Sequence, residues 1–355
     1  MHEYWPRTRR FLGFGNIGAV YVWLFIIILF TLWVPDVFPT VNTTQAISRN
    51  FTTAGLASLA ILLPMASGTF DASIGGTISL SSVLCAWLLI NTGLPIPLVI
   101  LITIAAGVGV GLFNAFTVIA LRIPSLIATL ATWLIADSLS VAVSGNRTIT
   151  STRVSGEFTQ ISRADLWGFT APFFYVIVLM VLLAIFMSFT STGRMMYAVG
   201  FNPEVARLSG VRVKRMQVMA LVASGAIAAF AGVVLTARLS SATPTSGSPY
   251  LLPAFAAVFL GATQFRAKRF NAPGTVIAVY MLGTGQYGLL LAGAPQWMPN
   301  VFQGVALVAA IGLTQLRDDS APKIRHRKSP NRTSPPSSDT KAADVIGVAA
   351  EGTPR

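Results

Sequence analysis

"GTFDASIGG", residues 68–76, holds Asp71, the one charged side chain between Asn50 and Leu121. Gly68, Gly75 and Gly76 bracket it, together with the hydroxyls of Thr69, Ser73 and Thr77. Hydrocarbon offers no water to a bent backbone or a carboxylate, so irregular chain survives there only where protein buries it or water reaches it. The stretch therefore reads as a break between two apolar runs, 50–67 and 76–92.

The composition around it sets the same scene. Hydrophobic residues make up 54% of the 355 positions and charged residues 10%, where a soluble domain carries about a quarter charged. Mean hydropathy is +0.68. The expected fold is all-α, a polytopic membrane protein. At roughly 20 apolar residues per crossing, about ten transmembrane helices are expected, near 16–35, 50–67, 76–92, 97–120, 125–143, 172–189, 216–237, 251–264, 273–292 and 299–316. The eighth is the shortest, because Gln264 and Arg266 cut it off. "RTRRFLG", residues 7–13, precedes an apolar run from Ile17 to Val34 that is long for an export signal and has no small-x-small cleavage site after it. An uncleaved first helix is expected.

Cytoplasmic loops retain Lys and Arg. With the N-terminus inside, 20 of the 25 basic residues fall on cytoplasmic segments. Only Arg49, Arg147, Arg153, Arg163 and Arg238 face outward. Both termini are therefore expected in the cytoplasm, and the net charge of +13 is a topology signal that requires no nucleic acid. The expected division is a cytoplasmic N-terminal segment 1–15, a transmembrane domain 16–316 and a disordered basic cytoplasmic tail 317–355, rich in Pro, Ser and cations. Residues 145–170 form a polar external loop.

Several chemistries are missing. None of the five lysines follows a glycine, so no phosphate-binding Gly-Lys-Ser/Thr loop exists and the chain does not hydrolyse ATP. The two histidines, His2 and His326, stand near the ends, which leaves no intramembrane zinc site or histidine base. No cofactor or metal is called for. The single cysteine, Cys85, can form no internal disulfide. Among ionisable groups only Asp71 and Asp137 sit deep in spans, too few for a typical ion relay. Asn114, inside the fourth span, needs a hydrogen-bond partner from a neighbouring helix or from water.

A second informative stretch is "STGRMMYAVGFNPEVARLSGVRVKR", residues 191–215. Asn202 is a good N-cap, Pro203 fits the first helical position, Glu204 complements the positive helix end and Gly210 suits the C′ position. A two-turn helix is expected over about Pro203 to Ser209. Val205, Ala206, Arg207 and Leu208 are expected to be exposed on it, a pattern that suits a docking surface.

These segments, with "NAFTVIALRIPSLIATLATW" (114–133) and "ARLSSATPTSGSPYLLPAFAAVFLGAT" (237–263), resemble the ribose-type permease subunits of bacterial ABC importers, in the wider branched-chain amino-acid and ribose permease family. The resemblance runs from about Gly15 to Leu316. It implies a ten-helix subunit in the cell membrane that works as a homodimer or paired with a second permease. It also implies a cytoplasmic ATP-binding ATPase subunit on the loop Asn202, Pro203, Glu204, Val205, Arg207, Leu208 and Gly210, and an external substrate-binding protein that delivers a monosaccharide. Where the family reads Gly-Gly-x-Asp-Leu-Ser-Val-Gly, this chain reads Gly-Thr-Phe-Asp-Ala-Ser-Ile-Gly, and its turn near 265 is "QFRAKRFNAPG" with three cations.

Two readings of Asp71 stand side by side. In one it caps the helix that begins near Ser73. In the other the broken segment borders the translocation path, and Asp71, Ser73, Thr77 and Asn114 offer groups to a passing sugar. The small-residue stripes at Gly107 and Gly111 and from Ala223 to Gly232 are packing surfaces, either of which suits a dimer seam. An ion-coupled secondary transporter and a membrane-embedded transferase are the competing functions; the first asks for more intramembrane charge, the second for acidic metal clusters or a catalytic histidine.

Overall fold

The computed structural model describes residues 14–166, 168–265 and 269–319. Most of the expected segment 1–15, the cations Arg266 and Lys268, and the tail beyond Asp319 lie outside the described residues.

The first helices are α1 (Phe14–Trp33), α2 (Val41–Asn50), α3 (Thr52–Ala66), α4 (Ile74–Asn91) and α5 (Ile96–Ala115). A π-helical turn at Phe116–Ala120 ends α5, and α6 (Ser125–Ser144) follows. The loop after α6 folds into the short helices α7 (Thr152–Ser155) and α8 (Gln160–Arg163) and a hairpin of β1 (Asp165–Leu166) and β2 (Phe169–Thr170). Then come α9 (Ala171–Phe189), α10 (Ser191–Phe201), α11 (Pro203–Leu208), α12 (Val213–Leu239), α13 (Leu251–Ala262), α14 (Ala272–Leu291) and α15 (Met298–Asp319). The last helix thus runs a little past the expected boundary at 316.

All ten apolar runs are helical. Among the described residues six helices are long and apolar enough to cross a membrane, seven if α2 and α3, bent by 41°, form one span. Three further apolar stretches, Gly18–Trp33, Ser248–Ala262 and Met298–Ala309, are shorter.

Local chemistry places the breaks. Thr190 accepts from the Gly193 N–H at 3.0 Å and divides α9 from α10. Asn271 accepts from the Gly274 N–H at 2.7 Å and starts α14, with Pro273 in its first turn. Each supplies an acceptor to helix-start donors that lack one.

At the centre stands α3, buried along its whole length. Around it pack α12, α13, α14 and α9. The 27-residue α12 packs most extensively on α5, and a Cβ on Gly107 or on Gly225 would run into the backbone carbonyl of the other. Backbones approach this closely only where side chains are absent. Gly107, Gly111 and Gly225 of the two small-residue stripes thus pack against each other's helices within the chain.

Arg153 donates to the carbonyls of Leu89 at 3.0 Å and Thr92 at 2.8 Å, covering the end of α4. Arg238 donates to the carbonyls of Arg49 at 3.4 Å and Asn50 at 3.2 Å, at the bend between α2 and α3. Cations suit these helix C-termini, whose last carbonyls lack intrahelical donors.

Candidate functional site

The break at 67–73 is built from its neighbours. Gly68 has φ +75°, the left-handed region, and lets the chain turn out of α3. The hydroxyls of Ser67 and Thr69 return to the Pro64 carbonyl at 2.9 and 3.2 Å. Two donors of the broken segment are satisfied from α6: Phe70 N–H by Ser125 Oγ at 3.1 Å and Ala72 N–H by Thr129 Oγ1 at 3.0 Å.

Asp71 is fully buried. Its Oδ1 accepts from the Ser73 N–H at 3.0 Å, the Ser73 hydroxyl at 2.6 Å and, more distantly, the Asn114 amide at 3.4 Å. Asn114 Nδ2 also donates to Ser73 Oγ at 2.7 Å, and Thr77 Oγ1 to the Ser73 carbonyl at 2.9 Å. The structure thus brings together Asp71, Ser73, Thr77 and Asn114, all buried, with α4 beginning at Ile74. Asn114 finds its partner in a neighbouring segment. Ser125 and Thr129 escaped the sequence reading; their signal is a pair of hydroxyls four residues apart on an apolar span, facing a segment short of acceptors.

Asp137 accepts from the Ser248 hydroxyl at 3.1 Å, and Trp133 packs over Gly75 and Gly76.

The second site is α11. Asn202 Oδ1 accepts from the N–H groups of Glu204 at 3.0 Å and Val205 at 3.1 Å, with Pro203 in the first turn. At the other end Gly210 N–H donates to the Arg207 carbonyl and Val211 N–H to the Ala206 carbonyl, both at 3.0 Å, while Gly210 has φ +83°. That is the paired bonding of a Schellman stop. Val205 is 57% exposed and Leu208 78%. Ala206 is buried against the core, correcting the expectation that it is exposed, because it faces inward on the helix. Glu204 and Arg207 pair at 3.0 Å on the exposed side, where such a pair contributes little stability. Arg269 lies over the rings of Tyr197 and Phe201 at 5.6 and 5.5 Å, which joins the turn before α14 to α10.

Residues 43–311 match the family described as branched-chain amino acid transport system / permease component. The chain belongs to that permease family. It is 31% identical over 257 residues to the ribose import permease protein RbsC of Bacillus subtilis (strain 168), covering 72% of this chain and 80% of that protein. It is 29% identical over 268 residues to the autoinducer 2 import system permease protein LsrD of Escherichia coli O9:H4 (strain HS), covering 74% and 81%. No solved structure matches it. Members of the family are permease subunits of ABC importers in the bacterial inner membrane; they are not enzymes, and ATP hydrolysis belongs to a separate subunit.

Proposed function

We propose that this permease carries a monosaccharide, ribose-like in size and chemistry, received from an external binding protein, with an ATPase docked on α11. The observation that carries the reading is α11 itself. Two independent caps hold six residues as a helix whose apolar tips, Val205 and Leu208, point away from the protein. An exposed apolar pair held this rigidly suits a partner's groove, where a few anchors supply most of the binding energy.

In this reading the subunit crosses the membrane ten times with both ends in the cytoplasm: the six long helices, the bent α2–α3 pair as one span, and α1, α13 and α15. It works as a homodimer or beside a second permease. Residues 1–15 and 317–355 are cytoplasmic, the latter a disordered tail. The cluster of Asp71, Ser73, Thr77 and Asn114 pins the broken span next to the path. Its full burial supports the architectural role.

The test is to co-purify the ATPase with Leu208→Asp and Glu204→Lys permeases and to measure sugar uptake in parallel. Both variants should insert normally, lose the ATPase and lose uptake. Normal retention and uptake in both would reduce α11 to a connector, and uptake driven by an ion gradient without any ATPase would replace the importer by a secondary transporter.

A further inference from the structure

A cavity of about 200 Å³ lies between α3, α13, α14 and α15, and its lining differs from everything around it. Five of its side chains are polar and uncharged at neutral pH: Asn50, Tyr250, Gln286, Asn300 and Gln303, with the ring of Phe51 as an apolar wall. No lining residue is ionic. Amides are costly in an apolar span, so three of them, Gln286 from α14 with Asn300 and Gln303 from α15, lining one cavity ask for a function.

The hydrogen-bond inventory says what fits. Gln286 Nε2 donates to Gln303 Oε1 at 2.8 Å. Whichever way the two amides are turned, that bond leaves one carbonyl oxygen and several N–H groups to face the cavity. Tyr250 accepts from Arg238 Nη2 at 2.8 Å, so its own hydroxyl proton is free to donate. Arg238 itself stands behind the tyrosine and is not part of the lining; besides that bond it holds the carbonyls at the bend, and its Nε is buried without a partner. A solute here meets neutral donors and acceptors in alternation, plus one aromatic face.

We infer that this cavity is a contact site for neutral polyhydroxylated solutes, and that it selects against zwitterionic amino acids. Each hydroxyl of a sugar both donates and accepts, which matches amides and a phenol. An amino acid would bring an ammonium group to a lining with no acidic side chain, while its carboxylate would find the nearest cation, Arg238, set back behind Tyr250; stripping water from charges left unpaired is unfavourable. The inference rests on the importer reading, which it deepens by choosing between the sugar and the amino-acid chemistries the family's relatives and description span. Pocket geometry of this kind, a few convergent polar groups on an apolar wall, is how small-molecule sites set orientation.

The experiment uses the full chain in lipid nanodiscs, in a Cys85→Ser background with Asn300→Cys, so that a maleimide reports on the cavity directly. D-ribose, D-xylose and D-galactose should slow alkylation saturably, and L-leucine at equal concentration should not. Removing the hydroxyl with Tyr250→Phe should raise the sugar concentration for half-protection about fivefold, as for one neutral hydrogen bond, and Gln286→Leu with Gln303→Leu should raise it further. Protection by leucine as strong as by the sugars, or sugar protection unchanged in both variants, overturns the inference. Sugar uptake by the assembled transporter with no protection of the thiol overturns the cavity and leaves the importer. Protection together with ATPase-independent uptake overturns the importer and leaves the cavity.

Discussion

Gly200, near the end of α10, rests on Gly68 in the turn that ends α3. A Cβ on Gly68 would sit 3.3 Å from the Gly200 Cα, and a Cβ on Gly200 would run into the carbonyl of Ala66. The segment that carries α11 is therefore in backbone contact with the break that holds Asp71. A push on α11 has a short rigid route to the centre of the membrane domain.

Gly200→Ala should test that route. The added methyl must displace Ala66 or Gly68, and overpacking of this kind costs about 1–3 kcal/mol. Thermal unfolding in detergent should show a lower Tm, and the ATPase should bind yet drive uptake poorly. Gly109→Ala is the control, because no heavy atom lies within 4 Å of its Cβ position. Equal behaviour of the two variants would show that the contact transmits nothing.

Asp71→Ala should destabilise the protein more than Asp71→Asn. The alanine leaves the buried Ser73 N–H without its acceptor, at about 1–3 kcal/mol for a buried donor left unpaired. The asparagine keeps one carbonyl oxygen for it. Detergent melting curves with the order reversed would mean that Oδ1 is not what holds the turn.

Asn202→Ala and Gly210→Ala attack α11 from its two ends without touching its exposed face. Loss of the N-cap costs about 1 kcal/mol, and a side chain at φ +83° costs a similar amount. Each should weaken ATPase retention about fivefold in a pull-down titration. Retention unchanged in both would show that the helix need not be preformed.

Ser155 is exposed in the loop between α6 and α9, while Cys85 is fully buried. Ser155→Cys with Cys85→Ser should react with a membrane-impermeant thiol reagent on intact cells. Labelling only after lysis would invert the topology.

What could be read in the chain and what could not divide along range of interaction. The caps of α11 were legible because Asn202, Pro203 and Gly210 act on their own neighbours. The break around Asp71 was legible because a carboxylate between glycines contradicts its apolar surroundings. The hydroxyls of Ser125 and Thr129 that complete it were not, since they arrive from a helix more than fifty residues away. Composition marks Gly107 and Gly225 as packing positions, but small residues carry no mark of which partner they meet. The inward turn of Ala206 depends on the angle at which α11 leaves Asn202, which no residue announces. The 12-residue α13 shows why a count of apolar runs differs from a count of full-length crossings.

The complete enclosure of α3 constrains how the protein is made. As the chain emerges from the ribosome, α3 enters the bilayer long before α12, α13 and α14 exist. It must first be solvated by lipid tails, and its Thr52, Thr53 and Ser58 must wait there with only their own helix to bond. Enclosure comes later, when more than a hundred further residues have been synthesised, and it is driven by close packing because lipid gives apolar side chains no reason to leave it. Biogenesis is therefore a wrapping process whose last wrappings are the C-terminal helices. A nascent chain halted after α11 should leave α3 open to lipid-soluble crosslinkers that cannot reach it in the finished subunit.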